Sequence, residues 1–111
     1  MSEADSIPQV GQIVCIKQGR EIGQYAVVIN MTDDGYVILA DGEKRKYDRP
    51  KKKNIHHIEV MDYISPEVHN SLLETGRVTN GKLRFAIAKF INEVVTDLKK
   101  GDQHDGERRC N

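Results

Sequence analysis

Residues 9–31 read QVGQIVCIKQGREIGQYAVVINM: two β-branched runs flank a short loop that carries a glycine at each end. Residues 12–17 (QIVCIK) and 24–31 (QYAVVINM) are short, rich in Val and Ile and bounded by glycine and polar residues. That pattern predicts a pair of strands and argues against helices. Gly19 and Gly23 bracket Arg20, Glu21 and Ile22. A glycine there reaches φ values closed to other residues and lets a neighbouring group approach the backbone.

Outward from this unit the strand pattern continues. Residues 36–40 (YVILA) form a third run, and Asp34-Gly35 and Asp41-Gly42 are hairpin-type dipeptides. The second of these predicts a turn into a fourth strand at residues 44–47. A fifth is expected at residues 55–61, where Ile58 and Val60 alternate with polar neighbours. Five short strands within about 50 residues predict a small closed barrel or sandwich.

The pattern then changes. Ser65-Pro66-Glu67 places a hydroxyl cap, a proline and an acid where a helix starts, and this helix stops near Gly76. Thr79 or Asn80 caps a longer helix running to about Lys100, with Gly101 as its stop. Leu83, Ile87, Phe90, Ile91, Val94 and Leu98 fall on one face of it. The expected organisation is a flexible start (residues 1–9), a barrel (10–62), a two-helix extension (65–100) and a disordered tail (101–111). The apolar stripe has two readings: a face that covers the barrel, or one that docks a partner or a second copy in a homodimer.

With 111 residues the chain is sized for one compact domain. No apolar run approaches the roughly 20 residues that span a bilayer, so no membrane is expected. The acidic, polar start lacks a secretory pattern, and the cytoplasm is the expected location. Cys15, inside an apolar run, reads as a buried small hydrophobe, and Cys110 lies near the polar end. Neither has a partner at metal-ligand spacing. No phosphate-cradling loop, HExxH or nucleophile–base spacing occurs, so neither catalysis nor a cofactor nor a metal is expected.

The 17 basic and 17 acidic residues cancel, but they are not evenly spread. Between Gly42 and His57 stand Lys44, Arg45, Lys46, Arg49, Lys51, Lys52 and Lys53 against only Glu43 and Asp48. That stretch carries +5 and the other 95 residues −5. On a strand at 44–47, Lys44 and Lys46 share one face while Arg45 and Tyr47 share the other. Pro50 would then break the strand and project Lys51, Lys52 and Lys53 as a loop. RNA needs cations spaced to meet successive phosphates and a planar group for unpaired bases, and this arrangement offers both. A solvated edge strand guarded by lysines is the other reading. Arg20, in a tight loop, is a candidate phosphate contact. Tyr47 and His56 are candidates for stacking and Asn54 for polar readout, and His57 either contacts RNA or makes a structural hydrogen bond.

Residues 9–28 resemble a KOW motif, with Gly23 matching its defining glycine. Asp41-Gly42, Arg45, Pro50-Lys51-Lys52-Lys53-Asn54 and His57 look like bacterial KOW-domain RNA-binding proteins related to a large-subunit ribosomal protein family of archaea and eukaryotes. The segment from Val78-Thr79-Asn80 to Ile87 looks like that group's helical extension. The resemblance implies an SH3-like barrel, a ribosomal RNA ligand, a part in translation or ribosome biogenesis, and no catalysis. DNA is not expected as a ligand. The family's bracketed loop often carries lysines, whereas this one has Glu21, Ile22 and Gln24. That departure and the zero net charge fit a peripheral or transient ribosome-associated protein. A protein-interaction adaptor using the barrel and the apolar helix is the alternative.

Overall fold

The structure is a computed structural model and describes residues 8–95. Most of the expected flexible start, the helix end at Lys100, Leu98 and the tail at 101–111 lie outside them.

Five strands appear: β1 (Gln12–Ile16), β2 (Tyr25–Met31), β3 (Tyr36–Ala40), β4 (Lys51–Asn54) and β5 (Ile58–Ile64). They form one antiparallel sheet in the order β4-β3-β2-β1-β5. A 3-10 turn (Ile55–His57) leads into β5. The fold is thus mainly β, a small SH3-like barrel, followed by α1 (Pro66–Thr75) and α2 (Asn80–Phe90).

The apolar runs that decided the reading are continuous because β1 and β2 are buried on both faces. Val14, Ile16, Ala26, Val28, Val37, Leu39 and Ile58 form one core, fed by the first and last strands alike, inside the curled sheet. The alternate residues Ile13, Cys15, Tyr25, Val27, Ile29 and Ala40 form a second core with Val68, Val78, Leu83, Ala86 and Phe90 from the helical extension. Cys15 is fully buried there, as a small apolar residue should be, and is not a free thiol.

The helix signals are met closely. The Ser65 hydroxyl accepts from the Val68 amide at 3.3 Å, and Gly76, with φ 76°, closes α1 by donating to the Leu72 carbonyl. Thr79 is the cap of α2, its hydroxyl accepting from the Lys82 amide at 3.1 Å. Beyond Phe90 the chain passes into a π-type turn (Ile91–Val95). The expected stripe covers the barrel: Leu83 and Phe90 are buried, and Ile87, Ile91 and Val94 pack against the same core. Phe90 meets Tyr25 and Tyr63 edge-on at centroid distances of 5.1 and 5.3 Å.

Two strands differ from the expectation: the fifth begins only at Ile58, residues 55–57 forming the 3-10 turn, and the fourth lies elsewhere. Residues 44–47 are not a strand; they lie in a wide loop, and the fourth strand is Lys51–Asn54, beyond Pro50. Asp41-Gly42 does not make a type I′ turn, because only the glycine takes positive φ. The Asp41 carboxylate instead accepts from the amides of Glu43 and Arg45, both at 2.8 Å, which opens the turn into a loop.

Candidate nucleic-acid interface

The wide loop between β3 and β4 is held from outside the sheet. Asn80, at the start of α2, accepts from the Tyr47 amide at 2.7 Å. The Tyr47 hydroxyl donates to the Gly76 carbonyl at 3.0 Å. Arg84 donates to the Gly42 carbonyl at 2.8 Å. Gly42 sits so close to the Asn80 carbonyl that a Cβ there would collide with it, and its φ of 82° disfavours any side chain. The helical extension therefore clamps the loop at both ends.

Around Tyr47 the loop turns on itself, the Arg49 amide donating to the Lys46 carbonyl at 2.9 Å. Glu43, Lys44, Arg45, Lys46, Asp48 and Arg49 line an open depression of about 530 Å³. Lys44, Lys46 and Arg49 are exposed on it. Tyr47 is not beside Arg45 on a strand face; its ring packs against the outer core. Its expected role as a stacking platform gives way to that of an anchor.

The strand half of the basic segment behaves differently. Lys53 pairs with Val37, is only 8% exposed, and points its ammonium into the glycine-bracketed loop. There it donates to the Gln18 carbonyl at 2.9 Å and lies 3.9 Å from Glu21. A Cβ on Gly19 would stand 2.6 Å from that ammonium, so the approach the glycine permits is by a lysine of the chain itself. Gly23 closes the loop at φ 88°, its amide donating to the Ile16 carbonyl at 2.8 Å.

Glu21 collects further charge. Arg45 donates to it at 3.4 Å. Burial pushes the Glu21 carboxyl up, but Lys51, the hydrogen bond from Arg45, its own amide and Lys53 together hold it below the ordinary carboxylate value. The acid that stands where the family often has lysines is thus the centre of a cluster in which it offsets part of the charge of three cations. Arg45 and Lys51 are half-buried beside it, and Lys53 is enclosed.

The remaining candidates divide. Arg20 is exposed, and Lys52 is exposed with its ammonium 4.7 Å from the centre of the Tyr36 ring. Asn54 caps the 3-10 turn, its side-chain oxygen accepting from the His56 amide at 2.8 Å, so half of its readout capacity is used. His56 is exposed; His57 is half-buried, and its carbonyl accepts from the Lys17 amide at 2.9 Å. Leu98 lies outside the described residues. Among the described residues no cluster of three or more His, Cys, Asp or Glu side chains could hold a metal, and no helix is long and apolar enough to cross a membrane.

Two functional groups escape sequence reasoning. Glu21 is visible as a departure from the family pattern, but nothing in its neighbourhood along the chain announces partners 24 and 32 residues away. Asn80 and Arg84 look like ordinary residues of the first two turns of a helix. Their only signal is Asn80 doubling a cap that Thr79 already provides.

No protein-family model matches the chain. It is 45% identical over 71 residues to the Bacillus subtilis protein named "Putative ribosome-binding protein YbzG", a match spanning 64% of this chain and 96% of that protein. It is 38% identical over 53 residues to the large ribosomal subunit protein eL14 of Pyrobaculum calidifontis, spanning 48% of this chain and 52% of the archaeal one. The eL14 of Aeropyrum pernix is 30% identical over 56 residues, with coverage of 50% and 56%. The chain therefore spans about half the length of these ribosomal relatives.

Proposed function

The chain belongs to the family of Bacillus subtilis YbzG, a KOW-type group related to eL14, and from that premise we propose that it binds the ribosome by gripping structured ribosomal RNA with its clamped basic loop. The observation that carries this reading is the loop itself: Lys44, Lys46 and Arg49 stand exposed around one open depression, on a backbone fixed by Asn80, Gly76 and Arg84. Cations spaced along such a rim meet successive phosphates, and their counterions are released on binding. Because the clamp already orders the loop, little further ordering entropy is lost when RNA arrives.

Lys52 and Arg20 extend the positive rim, and His56 is the exposed ring available to an unpaired base. Arg45 and Lys51 contribute less, since Glu21 offsets their charge. Lys53 contributes through the fold. Recognition is of shape more than of sequence, as is usual for folded RNA. A chain of zero net charge with a single cationic lobe suits a local, reversible attachment to the ribosome, in translation or ribosome biogenesis, better than burial within RNA.

The test is co-sedimentation with purified ribosomal subunits, beside binding to the free ribosomal RNA. Wild-type protein is expected to bind both, and the variant with Lys44, Lys46 and Arg49 changed to Ala to lose both while melting normally. Subunit binding that survives in this variant would refute the assignment.

A further inference from the structure

The Tyr47 anchor opens a second cleft on the far side of the loop. It measures about 350 Å³ and is lined by Tyr47, Ser71, Thr75, Arg77, Thr79 and Lys82, together with Val78. Four hydroxyl-bearing residues and two cations line it, and none of the described residues lining it is acidic. Lys82 donates to the Ser71 hydroxyl at 2.6 Å, which aims its ammonium along the cleft wall. Arg77 is exposed, and among the described residues neither cation stands within ion-pair distance of a carboxylate. This contrasts with Arg45 and Lys53, whose charge Glu21 offsets.

The cleft is also unlike an ordinary helix corner in its electrostatics. Two carbonyls at the end of α1 are engaged: Leu72 accepts from the Gly76 amide, and Gly76 from the Tyr47 hydroxyl. The cleft itself presents hydroxyls and cations. Tyr47 walls the cleft and stands in the chain between Lys46 and Asp48, which line the first depression. One ligand crossing the loop therefore arrives here next.

We propose that Arg77 and Lys82 form a second phosphate-contact site, continuing the RNA path from the basic loop across Tyr47 onto the helical extension. The ligand chemistry is the phosphodiester backbone, held by charge-assisted hydrogen bonds from the guanidinium and ammonium and by the Ser71 and Thr79 hydroxyls, those of Tyr47 and Thr75 already donating to backbone carbonyls. The inference rests on the proposed RNA-binding function and assigns the helices a share of the contact.

The experiment is a salt series with full-length protein and ribosomal RNA. It compares wild type, Arg77→Ala with Lys82→Ala, and Lys44→Ala with Lys46→Ala and Arg49→Ala. The helix-corner pair is expected to weaken binding by roughly tenfold and to flatten the slope of log affinity against log salt by about 1–2, with unchanged melting. If only the loop triple flattens the slope, the second site is refuted and the loop assignment stands. If neither variant does, the RNA-binding reading falls and the second site with it. If the pair loses binding to intact subunits but keeps the wild-type slope on free RNA, the cleft meets a ribosomal protein and the inference is overturned. Independently of any variant, ribosomal RNA should shield the Lys82 amine from acetylation while inorganic phosphate should not. Equal reactivity with and without RNA, or equal shielding by phosphate, would overturn the site.

Discussion

Residues 43–49 and residues 51–54 carry the same kind of charge, lie on either side of one proline, and end in opposite circumstances. In the first segment Lys44, Lys46 and Arg49 point into solvent from a loop clamped by α2. In the second, a strand brings Lys53 inside, where it fastens the glycine-bracketed loop through Gln18 and Glu21. The same side-chain type is thus a surface cation in one segment and a structural strut in the other. A count of basic residues measures potential charge. Backbone register and a single acid decide how much of it faces outward.

The most severe way to break this contrast is to unseat the helix that clamps the first segment. Phe90→Ala removes a buried ring shared by Tyr25 and Tyr63, and a loss of about 3–5 kcal/mol is expected in urea denaturation. A near-neutral result would mean that α2 is not seated on the barrel.

Gly42→Ala attacks the clamp at its contact with Asn80. Positive φ and the close carbonyl together predict about 1–3 kcal/mol of destabilisation, accompanied by weaker RNA binding because the loop loses its preset shape. Loss of stability with RNA affinity intact would show that the clamp does not position the cations.

Lys53→Met sharpens the comparison from the other side. It leaves the Gln18 carbonyl and Glu21 short of a partner, at a cost of about 1–2 kcal/mol, yet the salt slope of RNA binding should stay at the wild-type value. A flatter slope would place Lys53 on the RNA after all.

The mildest change is Glu21→Gln, which releases Arg45 and Lys51 from their acid. RNA affinity is expected to rise by about threefold, within the few tenths to 1 kcal/mol typical of a partly exposed ion pair. The same variant carries a pH signature. Because the Glu21 carboxyl is held below its ordinary value of 4.5, its stabilisation is present above that value and is lost as pH falls through the lower folded-state pKa. Acid unfolding curves should therefore show wild type losing more stability below 4.5 than Glu21→Gln does. Parallel curves would remove Glu21 from the centre of the cluster.

Much of the fold is legible in the chain because its signals are local. Residues 13–16 and 25–29 are apolar at every position since the sheet is covered on both faces, and Ser65-Pro66 and Gly76 mark the ends of α1 by cap chemistry alone. The helical stripe at Leu83, Ile87 and Phe90 has a periodicity that leaves its face unambiguous, although not what it covers. The fourth strand is not legible. Lysine-rich segments have little intrinsic β preference, so residues 44–47 and 51–54 are nearly equivalent candidates until pairing with β3 and the reach of Lys53 into the other loop select between them. The site divides on the same line. Its cations are countable in sequence, whereas the acid that offsets some of them and the helix that holds the rest make contacts across 24 to 42 residues of chain.

The central claim is that RNA is gripped by the clamped loop and not by the basic strand beside it. The most direct measurement is the salt dependence of binding to ribosomal RNA for wild type and for the Lys44→Ala, Lys46→Ala, Arg49→Ala variant. With each phosphate contact contributing about 0.7–0.9 to the slope, the variant is expected to be shallower by roughly 2. An unchanged slope, in a variant that still folds, would contradict the account.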